Sequence, residues 1–176
     1  EGLGKKEIDQ FWDLNLIKKI SDIFNLDFEK IKKLEGWGDL SIKNLEKAIK
    51  KSQTIFLDKF IFSIGIRHIG QENAKIMASF FTTIKEFSKL LESDPRKKVL
   101  KNLIDLDGIG ETQISSIDNF FLNKTNIQTT KELIQKLKIK DYLVKTKGGK
   151  FSNKKIMFTG GFKKMSRSEA KEIVEK

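Results

Sequence analysis

Cysteine is absent from this chain of 176 residues, which removes both a disulfide framework and any thiolate-bound metal. With one histidine, the chain also has too few nitrogen ligands for a zinc site. No apolar run approaches the roughly 18 residues that read as a membrane span. The first residues lack a signal-peptide pattern. An initiator methionine is missing too. The chain opens on Glu1 and stops inside a predicted helix over 168–176, so it reads as part of something longer.

Lysine is what the chain has in quantity. Lys and Arg number 35 against 24 Asp and Glu, a net charge of +11. Residues 1–88 hold 15 basic and 13 acidic side chains, and residues 89–176 hold 20 and 11. A basic surface attracts a polyanion and speeds encounter with it. The same composition also suits lysine-rich, solvated helices, so charge alone leaves nucleic acid and plain solubility both open.

A pattern repeated four times decides between them. Gly2-Leu3-Gly4, Gly36-Trp37-Gly38, His68-Ile69-Gly70 and Gly108-Ile109-Gly110 each set an apolar residue beside glycine. Four positions past the last glycine stand Ile8, Ile42, Ala74 and Ile114; seven past it stand Phe11, Leu45, Met77 and Ile117. This is the buried face of a helix, begun afresh each time. Successive last glycines lie 34, 32 and 40 residues apart, room for helix, tight turn and helix. Glycine allows φ > 0 and lets a ligand approach the backbone. A helix start then offers unpaired N–H groups and the positive end of its dipole, which favour phosphate. Such turns hold a DNA backbone without reading bases. Gly38 and Gly110 are expected at φ > 0, where valine would strain the turn and hold phosphate away.

Between the turns, periodicity predicts helices over about 5–12, from 17, over 40–51, over 111–122 and over 131–137, with the most apolar helix built on Phe56, Leu57, Phe60, Ile61 and Ile64. Lys43, Lys47, Lys50 and Lys51 lie off the apolar face of the third of these. Thr82 or Thr83 suits a helix cap, and Pro95 a first helical turn. The phenylalanines, 14 in all, fall at helical spacing and read as core rather than base-stacking surfaces. Composition changes near residue 123. Residues 145–152 read as a linker, and 155–159 as a strand closed by Gly160-Gly161 and followed by a helix, the opening of an α/β unit.

These residues resemble the C-terminal half of bacterial NAD-dependent DNA ligases. The likeness is carried by Gly2-Leu3-Gly4-Lys5-Lys6-Glu7-Ile8-Asp9-Gln10 and by Phe60-Ile61-Phe62-Ser63-Ile64-Gly65-Ile66-Arg67-His68-Ile69-Gly70. It continues in Phe158-Thr159-Gly160 and Met165-Ser166-Arg167-Ser168-Glu169-Ala170, which resemble the start of that family's BRCT domain. Order and spacing agree over nearly the whole chain. The resemblance implies a mainly α fold, with four helix-hairpin-helix motifs in one compact domain over 1–144. A linker over 145–152 and an incomplete BRCT domain over 153–176 would follow. It implies duplex DNA held near the minor-groove backbone by Gly2, Gly4, Lys5, Gly36, Gly38, Lys43, Arg67, Gly70, Gly108 and Gly110. The third hairpin has His68 where the others carry glycine; His68 is read as packed or hairpin-stabilising, and Arg67 as the contact to phosphate.

For the intact protein the family implies sealing of 5′-phosphate/3′-hydroxyl nicks in replication and repair, with NAD, magnesium and zinc as cofactors. It also implies the remaining ligase domains in the same chain and a cytoplasmic, DNA-associated location. These residues contain no adenylation motif, so no catalytic, cofactor or metal residue is assigned, and this chain alone is expected to be inactive. Thr159-Gly160 has a phosphate-binding reading beside that of a structural turn. Two other functions remain open at this point: a hairpin module of a repair nuclease or junction-binding protein, and a helical protein-interaction domain that does not bind DNA.

Overall fold

Apolar residues at helical spacing, punctuated by glycine, give an almost wholly helical chain. The computed structural model describes residues 3–143 and residue 157. Among these residues the helices are, in order, α1 (Lys5–Asp13), α2 (Phe28–Ile31), α3 (Asp39–Ser52), α4 (Leu57–Ser63), α5 (Gln71–Phe81), α6 (Ile84–Phe87), α7 (Ser93–Leu103), α8 (Glu111–Leu122) and α9 (Lys124–Lys136). Turns of 3₁₀ helix span Ile20–Asn25 and Ser88–Leu91, and the strands are β1 (Thr54–Phe56) and β2 (Lys138–Lys140). They form a compact unit ending at Tyr142. Gly2, the linker over 145–152, the BRCT-like stretch over 153–176 apart from Met157, and Thr159-Gly160 lie outside the described residues.

The repeated glycines start helices. Gly4, Gly38, Gly70 and Gly110 are the N-cap residues of α1, α3, α5 and α8. Their carbonyls accept the first helical hydrogen bonds, from Ile8, Ile42, Ala74 and Ile114 at 2.9–3.1 Å. One further turn on, Phe11, Leu45, Met77 and Ile117 are buried, as their spacing predicts. Thr83 caps α6 by accepting from the N–H of Glu86. Asn123 caps α9 by accepting from Thr125 and Asn126.

The helix starts are grouped in pairs by two cores. Phe11, Ile17, Leu26, Ile31, Leu45 and Ile49 pack together under α1 and α3. A larger cluster joins α4, α5, α7 and α8. Phe87 lies within it, edge-to-face with Phe60, Phe81 and Phe121 at 5.4–6.0 Å between ring centroids. Among the described residues the phenylalanines at helical spacing are thus mainly core, although Phe56, Phe62 and Phe80 are exposed. Arg96 of α7 is the buried cation of the larger core. Its Nε donates to Asp118 Oδ1 at 2.9 Å, and its Nη1 to the carbonyls of Phe121 at 2.8 Å and Leu90 at 3.3 Å. Those bonds tie α7 to α8 and to the preceding 3₁₀ turn.

α9 and the strands join the two cores. Glu132 of α9 accepts from the Ser21 hydroxyl at 2.6 Å and pairs with Lys19 at 2.9 Å. Lys136 Nζ donates to Asn25 Oδ1 at 3.3 Å. β1 connects α3 to α4 and pairs in parallel with β2, Ile55 opposite Ile139. The sequence pattern placed a helix from residue 17, where the backbone is instead 3₁₀ from Ile20. It placed Phe56 in a helix, but Phe56 ends β1. It started the last helix at 131, whereas α9 starts at Lys124, behind the Asn123 cap.

Candidate nucleic-acid interface

A four-residue turn precedes three of the four helix starts, and its geometry repeats. The N–H of Trp37 donates to the carbonyl of Leu34 at 3.2 Å, that of Ile69 to Ile66 at 3.1 Å, and that of Ile109 to Leu106 at 3.0 Å. The third residue of each turn has positive φ: 85° at Gly36, 62° at His68 and 90° at Gly108. A type II turn requires that sign at that position. His68 therefore takes the same backbone conformation as the glycines it replaces, and the third hairpin is built like its neighbours. Its side chain is exposed, not packed.

In the three described turns, left-handed conformation falls on Gly36, His68 and Gly108, not on the last glycine. Gly38 has φ −92° and Gly110 φ −108°, both extended, so the expectation of positive φ there is wrong. What is special at the last glycine is space. A Cβ placed on Gly38 or Gly70 meets no atom within 4 Å. The backbone of these two N-caps is open to a ligand. At the other two the N-cap N–H already has a partner: Gly4 donates to Glu7 Oε2 at 2.9 Å and Gly110 to Gln113 Oε1 at 3.1 Å.

The second residue of each described turn sets the charge of the tip. It is Glu35, Arg67 and Asp107 in turn, so hairpin three alone carries a cation at that position among the described turns. Lys5 is exposed in the first turn of α1, and Lys43 is exposed on α3. Lys32 reaches across to Asp39, the first residue of α3, at 2.6 Å. That hydrogen bond and ion pair hold the Lys32 ammonium above its ordinary value and offset the acid at this helix start.

Two grooves result. One runs between α1 and the second hairpin, lined by Lys6, Gln10, Gly36, Lys47 and Lys51. The other runs between the tip of the third hairpin and α8, where Arg67 and His68 face Thr112, Ser115 and Asn119. Of the residues assigned from sequence, Gly36 lies in the first groove and Arg67 in the second. Gly108 faces Ile76 of α5 instead; a Cβ there would stand 2.7 Å from Ile76 Cδ1. Sequence reasoning missed Thr112, Ser115 and Asn119. Their signal was polar residues at i, i+3 and i+7 on a helix without lysine.

Residues 59–130, which hold the third and fourth hairpins, match the helix-hairpin-helix motif family. Along its whole length the chain is similar to bacterial proteins named DNA ligase. It is 46% identical to that of Pelagibacter ubique over 99% of this chain and 25% of the relative. Identity is 40% to that of Rickettsia typhi, over 99% of this chain and 26% of the relative, and 37% to that of Rickettsia bellii, over 100% and 27%. The chain is homologous to one region of the bacterial DNA ligases. It spans about a quarter of the length of the ligases it matches. That region is mainly helical here, as its hairpin pattern implies, and no described helix is long and apolar enough to cross a membrane.

Charge is distributed less evenly than the division into halves suggested. Residues 3–143 carry 25 basic and 20 acidic side chains, while residues 144–176 carry ten and three. The hairpin unit is thus only mildly basic. Among the described residues no group of three His, Asp or Glu side chains converges to hold a metal ion.

Proposed function

We propose that this ligase region grips the sugar-phosphate backbone of duplex DNA, without base selection, through paired hairpins. The observation that carries the reading is the turn repeated at Gly36, His68 and Gly108, with open N-cap backbone at Gly38 and Gly70. At Gly38 and Gly70 a phosphate oxygen reaching the helix start would gain both backbone hydrogen bonds and the helix dipole. Arg67 adds the planar, two-pronged donor that phosphate accepts best.

The whole protein, on this reading, seals 5′-phosphate/3′-hydroxyl nicks in replication and repair. NAD, magnesium and zinc serve parts of it that these residues do not contain. The hairpin region holds the nicked duplex for the remaining ligase domains of its own chain, in the cytoplasm. Along-the-chain similarity to proteins named DNA ligase favours this over a repair-nuclease module. A paired assay tests it. In a gel-shift titration the chain should bind unrelated duplex sequences equally, nicked or intact. In a sealing assay with NAD and magnesium it should join nothing. Binding confined to one sequence, or no binding, would contradict the first claim; reproducible sealing would contradict the second.

A further inference from the structure

The two hairpin pairs offer different chemistry to the same class of ligand. In the first groove the reaching groups are the ammonium ions of Lys6, Lys47 and Lys51, set against Glu7 and Glu35. In the second they are neutral: Thr112, Ser115 and Asn119 stand beside Arg67 and His68, with Glu111 as the acid. α8 has no Lys or Arg among its 12 residues, in a chain that has 35. Thr112, Ser115 and Asn119 share one exposed helix face. Threonine, serine and asparagine weaken a helix relative to alanine, and exposed side chains gain no packing in return. Ser115 Oγ accepts from Asn119 Nδ2 at 3.4 Å, which leaves the hydroxyl proton to donate elsewhere.

We propose that the α8 groove binds the phosphodiester backbone of one strand chiefly by neutral hydrogen bonds, with Arg67 as its fixed cation, while the lysine groove supplies long-range attraction. This rests on the DNA-backbone reading above and divides its work between the pairs. An ammonium group displaces counterions from DNA, so its contribution falls as salt rises. A hydroxyl or amide exchanges bound water instead, and its contribution persists. The α8 groove keeps the duplex seated at salt concentrations that weaken the lysine contacts.

The test is fluorescence anisotropy of the 176-residue chain on a labelled nicked duplex across a salt series. Combining Thr112→Ala, Ser115→Ala and Asn119→Ala should weaken binding by about 10-fold or more and leave the log–log salt slope unchanged. Alanine is the better helix former, so thermal stability should hold or rise and lost affinity is not lost fold. Combining Lys47→Ala with Lys51→Ala should instead flatten the slope by about 1.8, from about 0.9 per phosphate contact. A triple variant with unchanged affinity, or with a slope flattened as much as that of the lysine variant, overturns the division while the DNA reading stands. No duplex binding by the unaltered chain overturns that reading and the division together.

Discussion

Gly70 and Gly108 look alike in sequence but face opposite demands. Gly70 has φ −81° and open space where a Cβ would go. Gly108 has φ 90°, and a Cβ there would be forced against Ile76. Gly70→Ala should therefore cost the fold less than about 1 kcal/mol, the ordinary loss of a glycine N-cap. Gly108→Ala should cost about 2 kcal/mol, from backbone strain and the clash combined. Urea denaturation of both variants checks the order, and equal losses would refute the assignment. Sequence could not say which glycine of a Gly-x-Gly pair bears the positive φ. The clue lay at His68, since the replaced position is the one whose backbone histidine can still adopt.

At the scale of elements, α8 was legible to the residue because its apolar period and its N-cap glycine agree. α9 was not, because Thr125, Asn126, Thr129 and Thr130 are weak helix formers. What supports that turn is the Asn123 cap and the packing of Ile127 and Leu133 against the larger core. The three-residue strands β1 and β2 carry no local signal, for each is defined by a partner far along the chain. In the candidate interface, the turns and Arg67 were legible as local patterns. The polar face of α8 was not, because only the fold sets it opposite Arg67. Arg96 was equally hidden, since in sequence it resembles any surface cation. Replacing it with methionine leaves the carbonyls of Leu90 and Phe121 without their buried donor. Arg96→Met should lose about 3 kcal/mol in a denaturant titration. A loss within experimental error would show that the α7–α8 contact is held by apolar packing alone.

At the scale of the molecule, Glu132 couples the two hairpin pairs. The Ser21 hydroxyl, the Gln128 amide and Lys19 hold its carboxyl down from 4.5 to about 2. The unfolded chain therefore binds a proton more readily than the folded one between those values. The carboxylate's stabilisation is complete above its unfolded pKa and is lost as pH falls toward about 2. Glu132→Gln should lower the melting temperature at neutral pH, and the gap from the unaltered protein should close as pH drops through that window. A gap constant with pH would mean that the carboxylate is not the coupling group. The central claim is that DNA backbone meets the helix-start amides. Backbone amide chemical shifts, followed by NMR as unlabelled duplex is added, test it most directly. The largest changes should fall on Gly38, on Gly70 and the first turn of α5, and on Arg67 and the exposed face of α8. Changes centred instead on the exposed apolar residues Trp12, Leu14 and Ile20, with these amides unmoved, would contradict the account.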